Sequence, residues 1–367
     1  MENNIPPCVL GQFEINGNFK SYFPFGNGNI NDTFVSEWDM NGVTVRYTHQ
    51  RINHKVFLRP DHVMENILRI TKYIAQLNSN AGFLDLDRRC LKVIPAKDGK
   101  PYVRDAKGGW WRTYNFIDNV HSINNVSSPE EAWFPGAAVG QFQKQLASLP
   151  LPKLHETIPH FHDMKKRYIR FYDAAEKDVC GRAKDAAQEI RFIRDNEKRG
   201  AILVDAISEG LLPERICHND TKINNILIDD SDPSVFCVID LDTVMPGTVL
   251  FDTGDLIRTV ASAVPEDEKD LSKVKLDINI FKSLLAGYLS QACEFLCPQE
   301  ISLLAESGRN ITQIMTLRFL TDFLEGDHYY HINRPLHNLE RCRNQIALIK
   351  SMDSQWDDII TAVRLTQ

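Results

Sequence analysis

"ICHNDTKINNILID", residues 216–229, sets His218, Asn219, Asp220, Lys222, Asn224 and Asn225 between Ile216 and the apolar run Ile226-Leu227-Ile228. An apolar frame of this kind forms core, and a core does not hold unpaired polar groups cheaply. Either these side chains satisfy one another, or a ligand completes them. The first alternative is an Asn/Asp-rich turn between two buried strands, with side chains bonded to their own backbone. That alternative leaves the next element of the chain unexplained.

The next element is "SVFCVIDLDTVMPG" (234–247), which ends an apolar strand with Asp240 and Asp242. Phosphoryl transfer from ATP needs a carboxylate for the acceptor hydroxyl, oxygen ligands for Mg²⁺, and cations or backbone amides for phosphates. His218-x-Asp220-x-Lys222-x-x-Asn225 followed by a strand-end aspartate provides that inventory in kinase order. Asp220 is the candidate base, and Asn225 and Asp240 are candidate ligands for one or two Mg²⁺. Lys222 is placed to reach the transferring phosphate, and His218 to hold the loop through backbone hydrogen bonds. Asp242, one strand period after Asp240, is expected on the same face. It is either a second-metal ligand or an aspartate of the fold.

"PFGNGNINDTF" (24–34) contains Gly26-x-Gly28, with Asn31 where a third glycine would complete a phosphate-binding fingerprint. A GxG pair also suits a plain hairpin turn. Its position in the first hairpin favours a loop whose amides cover phosphates. The strand that follows, 43–52, lacks the lysine expected for the α- and β-phosphates. Arg46 or Gln50 stands in its place, and Glu65 is either the partner of such a cation or a solvated residue.

Working outward, "SYFPFGNGNINDTFVSEW" (21–38) reads as a hairpin and "GVTVRYTHQRIN" (42–53) as the next strand. Pro60-Asp61 opens a helix with Val63, Ile67, Ile70, Ile74 and Leu77 at helical spacing. Residues 90–118 give short strands broken by Asp-Gly and Gly-Gly turns. The remainder is mostly helical: a helix with Glu130 and Glu131 in its first turn, a long charged helix over 182–209 with a break near Gly200, and helices at about 249–263, 277–296, 298–325 and 338–363. The expected architecture is α+β and bilobal. A small β-rich N-lobe (1–118) carries the nucleotide, and a larger, mainly helical C-lobe (119–367) carries catalysis.

Composition excludes several classes. With 42 basic and 49 acidic residues the net charge is -7, which gives no global attraction to nucleic acid or an anionic membrane. No apolar run approaches the length of a membrane span, and the N-terminus does not read as a signal peptide. The eight cysteines contain no CxxC pair and suit a reduced, cytoplasmic protein. The clusters "HFH" (160–162) and "HYYH" (328–331) read as packing or surface histidines rather than zinc ligands.

Together "GNGNINDTF", "YNFID", "HNDTKINNILID", "VIDLDTVMPGTVLFDTGDLIR" and "LRFLTDFLEGDHYY" resemble the aminoglycoside phosphotransferase and choline kinase superfamily. "IDLDTVMPG", "DEKDLSKV" and "RFLTDFLEGD" narrow the resemblance to bacterial N-acetylhexosamine 1-kinases, over about residues 20–350. The resemblance implies a protein-kinase-like bilobal fold, ATP with Mg²⁺, and phosphorylation of the anomeric hydroxyl of N-acetylglucosamine or N-acetylgalactosamine. It implies Asp220 as catalytic aspartate and as holder of the acceptor hydroxyl, Asn225 and Asp240 as metal ligands, and Asn115, Phe116, Ile117 and Asp118 as the adenine hinge. Sugar contacts would fall on Thr243, Arg318 and Tyr329, and on Asn29, where the family pattern can carry histidine. The glutamine at position 50 matches the narrow group. Without the resemblance, Arg318 reads as a helix cation paired with Asp322 at i+4, and Arg258 as a partner of Asp252 or Asp255. Small-molecule acceptor and ATP are the only partners implied. The rival readings are a kinase for another sugar, an aminoglycoside or an amino alcohol, and a nucleotide-binding regulatory protein without turnover.

Overall fold

The stretch around Gly26 folds as a hairpin: in the computed structural model β1 (Asn18–Pro24) pairs antiparallel with β2 (Asp32–Met40). The structure describes residues 5–26, 30–123 and 125–365, so Gly28 and Asn29 lie outside the described residues. β2 turns into β3 (Val43–Ile52) through Asn41-Gly42, both at positive φ (56° and 86°). This is the Asn-Gly pair that a two-residue hairpin requires, because its twist matches that of the strands. β4 (Val103–Arg104) and β5 (Trp110–Asn115) complete a five-stranded sheet of order β1-β2-β3-β5-β4.

One face of this sheet buries Phe34, Trp38, Val103 and Trp111 against Ile5, Val9, Leu10 and Phe13 of the N-terminal segment. The helix Pro60–Asn80 buries Val63, Ile67, Ile70 and Ile74, the stripe its spacing predicts. Four short strands follow: β6 (Val120–Ser122), β7 (Arg215–Cys217), β8 (Ile226–Asp229) and β9 (Phe236–Val238), with β10 (Met245–Gly247) after them. β8 lies between β6 and β9 in one small sheet, while β7 and β10 form another.

The chain divides into two compact units. The first comprises Met1–His121, Leu149–Pro159 and Leu227–Met245; the second comprises Ser122–Ser148, His160–Ile226 and Pro246–Gln367. The sheet region is N-terminal and the helical region C-terminal, as expected for the α+β class.

In the helical unit, Leu304–Glu325 is buried on nearly all faces, which marks it as the central helix. The helices Pro129–Leu146 and Ile278–Ala292 approach at backbone level, since a Cβ on Gly287 would collide with the main chain of Trp133. Helix ends differ from the expectation in a regular way. The 182–209 stretch breaks at Asn196 and Ala201 into short pieces, and 298–325 and 338–363 each contain a break, at Leu303 and Gln355. Periodicity carries through a non-helical joint of one residue, so pattern alone does not reveal it.

Candidate active site

The polar residues of 216–229 are organised by one buried side chain. Asp252, in the helix Val249–Val260, is fully buried. Its Oδ2 accepts from the His218 N–H at 2.9 Å and its Oδ1 from the Asn219 N–H at 2.7 Å. Gln143 Nε2 donates to Oδ2 at 2.9 Å, and the Thr221 hydroxyl donates to the Asp252 carbonyl at 2.6 Å. Beneath the loop, His162 lies 2.9 Å through Nε2 from the Asn219 carbonyl and packs on Phe251 at 4.8 Å between ring centroids. Burial pushes the His162 imidazole down to about 3, so the ring is neutral.

With its flanks fixed on both sides, the chain turns through Asn219 in the left-handed region (φ 65°) and delivers Asp220. The His218 Nδ1 accepts from the Asp220 N–H at 3.3 Å, which is the loop-holding role expected of it. Strained backbone of this kind persists where surrounding contacts over-determine it.

Around Asp220 the charges are ordered. Lys222 Nζ stands 3.4 Å from Oδ1. Asn225 Nδ2 donates to the Asp220 carbonyl at 2.8 Å and approaches Oδ2 at 3.4 Å. Burial alone would raise the Asp220 carboxyl, but Lys222, His218 and Arg318 outweigh it and hold it below the usual carboxylate value. Asp220 raises Lys222 in turn, over the opposing effect of burial. The result is an ionised carboxylate beside an ionised ammonium.

Arg318, on the central helix, is not paired with Asp322. Asp322 instead accepts from the N–H groups of His328, Tyr329 and Tyr330 at 2.8–3.0 Å and from Asn338 Nδ2 at 2.9 Å. Three aromatic rings surround the Arg318 guanidinium: Phe161 at 5.1 Å, Tyr330 at 5.4 Å and Tyr329 at 5.5 Å. Its contacts are weak ones, to Met315 Sδ at 3.6 Å and the Tyr329 hydroxyl at 3.4 Å. The expected sugar residues Arg318 and Tyr329 therefore do come together. Arg258 pairs with Asp255 and Glu266, each at 2.8 Å, and Asp252 is left to the loop.

In the sheet unit, Gly26 lies at φ 75°, a conformation that favours glycine. Phe25 beside it meets Phe116 edge-to-face at 5.6 Å. Arg46 covers the Phe116 ring at 4.3 Å and pairs with Asp118. It is thereby committed to the 115–118 segment, and Gln50 holds the strand position at which a lysine is expected. Ile117 is buried. Gln50 donates to Thr33 at 3.1 Å and accepts from Arg112 Nε at 2.9 Å. Glu65 contacts His155 at 2.9 Å, so it is no partner of the strand cation.

Arg112 is the cation that the sequence did not reveal. It is buried and pairs with Asp242, whose other oxygen accepts from Asn31 Nδ2 at 2.7 Å. Burial pushes the guanidinium down, but Asp242, Tyr114 and Asp240 outweigh it and keep it charged. The expectation that Asp240 and Asp242 share a strand face is corrected. β9 ends at Val238, Asp240 is left-handed at φ 59°, and Leu241–Thr243 is a 3₁₀ turn. Asp240 is exposed while Asp242 and Thr243 are buried. Both oxygens of Asp242 already accept within the fold, which supports its reading as an aspartate of the fold.

The donor set suits a hard cation in part. Asn225 directs its Nδ2 to the Asp220 carbonyl, so its Oδ1 is a neutral oxygen of the kind that a hard cation would accept as a ligand. Among the described residues no group of three or more His, Cys, Asp and Glu could hold a metal on its own.

Residues 105–273 match the family model described as "Phosphotransferase enzyme family". Among solved structures, the chain is similar to an aminoglycoside phosphotransferase from Alicyclobacillus acidocaldarius (TM-score 0.63, 14% identity, 100% of this chain and 98% of that one). It is similar also to choline kinase from Cryptosporidium parvum (TM-score 0.56, 14% identity, 96% and 94%). A third is a spectinomycin phosphotransferase in complex with ADP and spectinomycin (TM-score 0.51, 12% identity, 94% and 92%). The fold is that of these kinase-like phosphotransferases, and the matched segment contains both the Asp220 loop and Asp240.

Proposed function

We propose that this protein is an ATP-dependent kinase that phosphorylates the anomeric hydroxyl of an N-acetylhexosamine. The observation that carries the reading is Asp220, held ionised beside Lys222 and Asn225 on a loop clamped by Asp252. Asp220 orients the hydroxyl and accepts its proton as the O1–P bond forms. The bond from the γ-phosphorus to the β-phosphate oxygen breaks, and ADP leaves. The anomeric hydroxyl is more acidic than an ordinary alcohol, so a carboxylate base is adequate. Lys222 neutralises charge on the transferring phosphoryl group.

Mg²⁺, when bound, neutralises phosphate charge; Asn225 and Asp240 would hold it, by their order in the motif. Gly26, Gly28 and Gln50 are assigned to the phosphates and Phe116, Ile117 and Asp118 to adenine. Thr243, Arg318, Tyr329 and Asn29 are assigned to the sugar. Support for a nucleotide comes from the fold and from the ADP named with the spectinomycin phosphotransferase. Among the described residues no helix is long and apolar enough to cross a membrane. The cytoplasm, where ATP is available, is the compartment this reading assigns.

The test is ATP consumption across a panel of hexosamines, other sugars, aminoglycosides and amino alcohols. Turnover with a hexosamine and a sugar 1-phosphate product is expected. No turnover with any hexosamine would sink the reading, and turnover with another acceptor class would transfer it there.

A further inference from the structure

Three side chains form one polar row across the five-stranded sheet. Thr33 of β2 pairs in register with Gln50 of β3, and Gln50 with Arg112 of β5. Side chains alternate along a strand, so partners in register stand on the same face. Arg46, four residues before Gln50 on β3, shares that face and covers the Phe116 ring. Four residues of strand span about 13 Å. That length suits a nucleobase at the Phe116 end and a polyphosphate at the Gln50 end.

Within the row each bond dictates the next. A guanidinium only donates. Arg112 Nε donates to Gln50 Oε1 at 2.9 Å, so the amide oxygen faces Arg112 and the NH₂ group faces away from it. Gln50 Nε2 spends one hydrogen on the Thr33 hydroxyl at 3.1 Å. The second amide hydrogen and the Thr33 O–H hydrogen meet no acceptor among the described residues. Both side chains are half-buried, whereas Arg112 is buried against Asp242. Asn31, two residues before Thr33, donates to the same Asp242 at 2.7 Å and accepts from the Asn53 N–H at 3.0 Å. The strand that returns from the Gly26 hairpin is thus held at Asn31 and at Thr33, both times through the Arg112–Asp242 pair. It presents two unspent donors, and the nearby acceptor oxygens are already used. Such a surface suits an oxyanion.

We propose that the Gln50 amide and the Thr33 hydroxyl form a neutral two-donor contact to a non-transferred phosphate of the nucleotide, with Arg112 as the residue that positions Gln50. This pair takes the place of the lysine ammonium expected on the strand. Arg112 does not touch the nucleotide. It decides which end of the amide the nucleotide meets, because an amide turned the other way would offer a carbonyl oxygen to a phosphate. The proposal rests on the ATP reading above and adds Thr33 and Arg112 to it.

The experiment measures the Kd of Mg-ATP by calorimetry, the KM for the hexosamine and the unfolding midpoint, using the full-length protein and three variants. Thr33→Val keeps the shape and removes one donor. Its Kd for ATP should rise about tenfold, the range of a hydrogen bond to a charged acceptor. Gln50→Glu sets a carboxylate against Arg112 and an acceptor against the phosphate. Its unfolding midpoint should match or exceed that of wild type while its Kd for ATP rises by more than tenfold. Arg112→Lys keeps a cation opposite Asp242 but gives up the fixed bond to Gln50. Its Kd for ATP should rise about threefold or more with the hexosamine KM unchanged. Wild-type ATP affinity in folded Thr33→Val or Gln50→Glu would overturn the proposal and leave the kinase reading standing. A parallel rise in the hexosamine KM of these variants would also overturn it, since a purely structural role moves both constants. ATP binding without turnover of any hexosamine would remove the acceptor reading alone, and the Kd values would still decide this one. No ATP binding by the wild-type protein would remove both.

Discussion

Both oxygens of Asp252 accept main-chain N–H groups of the loop that carries Asp220, Oδ2 from His218 at 2.9 Å and Oδ1 from Asn219 at 2.7 Å. A carboxylate in a helix thus fixes the residue that precedes Asp220. The positive φ of Asn219 is sustained by this clamp and by the His162 contact on its carbonyl.

Asp252→Ala leaves two buried N–H groups and Gln143 without their acceptor. A loss of about 2–5 kcal/mol in urea unfolding is expected, the range for breaking a buried hydrogen-bond network. Asp252→Asn keeps the shape but turns one acceptor into a donor. It should retain more stability than the alanine variant while kcat falls by about tenfold or more, because loop geometry feeds directly into rate. A fully active Asp252→Asn protein would show that the clamp does not position Asp220.

His49 and His162 give the fold an acid limit. Burial pushes each ring down to about 3, against 6.5 when exposed. His49 is enclosed by the Ser36 and Thr113 hydroxyls, at 2.6 and 2.8 Å. The unfolded chain binds protons on these rings below pH 6.5 while the folded chain does not until about 3. Stability is therefore complete above pH 6.5 and is lost as pH falls through that window. Each histidine contributes a loss of up to about 2 kcal/mol between pH 7 and pH 5. Urea unfolding at the two pH values should show it, and His162→Gln should have the shallower dependence. An identical slope in wild type and variant would contradict the assignment for His162.

Arg112 and Asp242 form a buried pair, and breaking one side leaves a charge without its partner. Arg112→Met should cost about 3–5 kcal/mol, and adding Asp242→Leu should restore part of it. If Asp242 is an aspartate of the fold, a folded Asp242→Asn protein keeps its dependence on Mg²⁺ concentration. A tenfold or larger rise in the Mg²⁺ needed for half-maximal rate would instead return Asp242 to the metal.

The grouping of Asp220, Lys222 and Asn225 at 216–229 was legible because polar residues inside an apolar frame must meet one another or a ligand, and the three side chains do lie together. The helix Pro60–Asn80 was legible because one buried stripe repeats over five turns. Asp252 was not, since its partners are N–H groups 33 and 34 residues earlier and it reads as one more acid in a helix. Arg112 was hidden likewise, its partner Asp242 lying 130 residues away. The Asp240–Asp242 spacing misled because the strand ends at Val238 and Asp240 is itself left-handed before a 3₁₀ turn, which period-two reasoning does not anticipate. Arg318 read as a helix cation from i+4 spacing, but three N–H groups after the helix end had already taken Asp322.

The most direct test of the account is the rate of phosphoryl transfer in Asp220→Asn with saturating ATP and the best hexosamine acceptor, beside a binding measurement for ATP. Asparagine keeps the shape and the Asn225 contact but cannot take the proton. The account predicts a loss of about 10²–10⁴-fold in kcat, the range of general-base catalysis, with ATP affinity and unfolding midpoint close to wild type. An Asp220→Asn protein that transfers phosphate at the wild-type rate would contradict it.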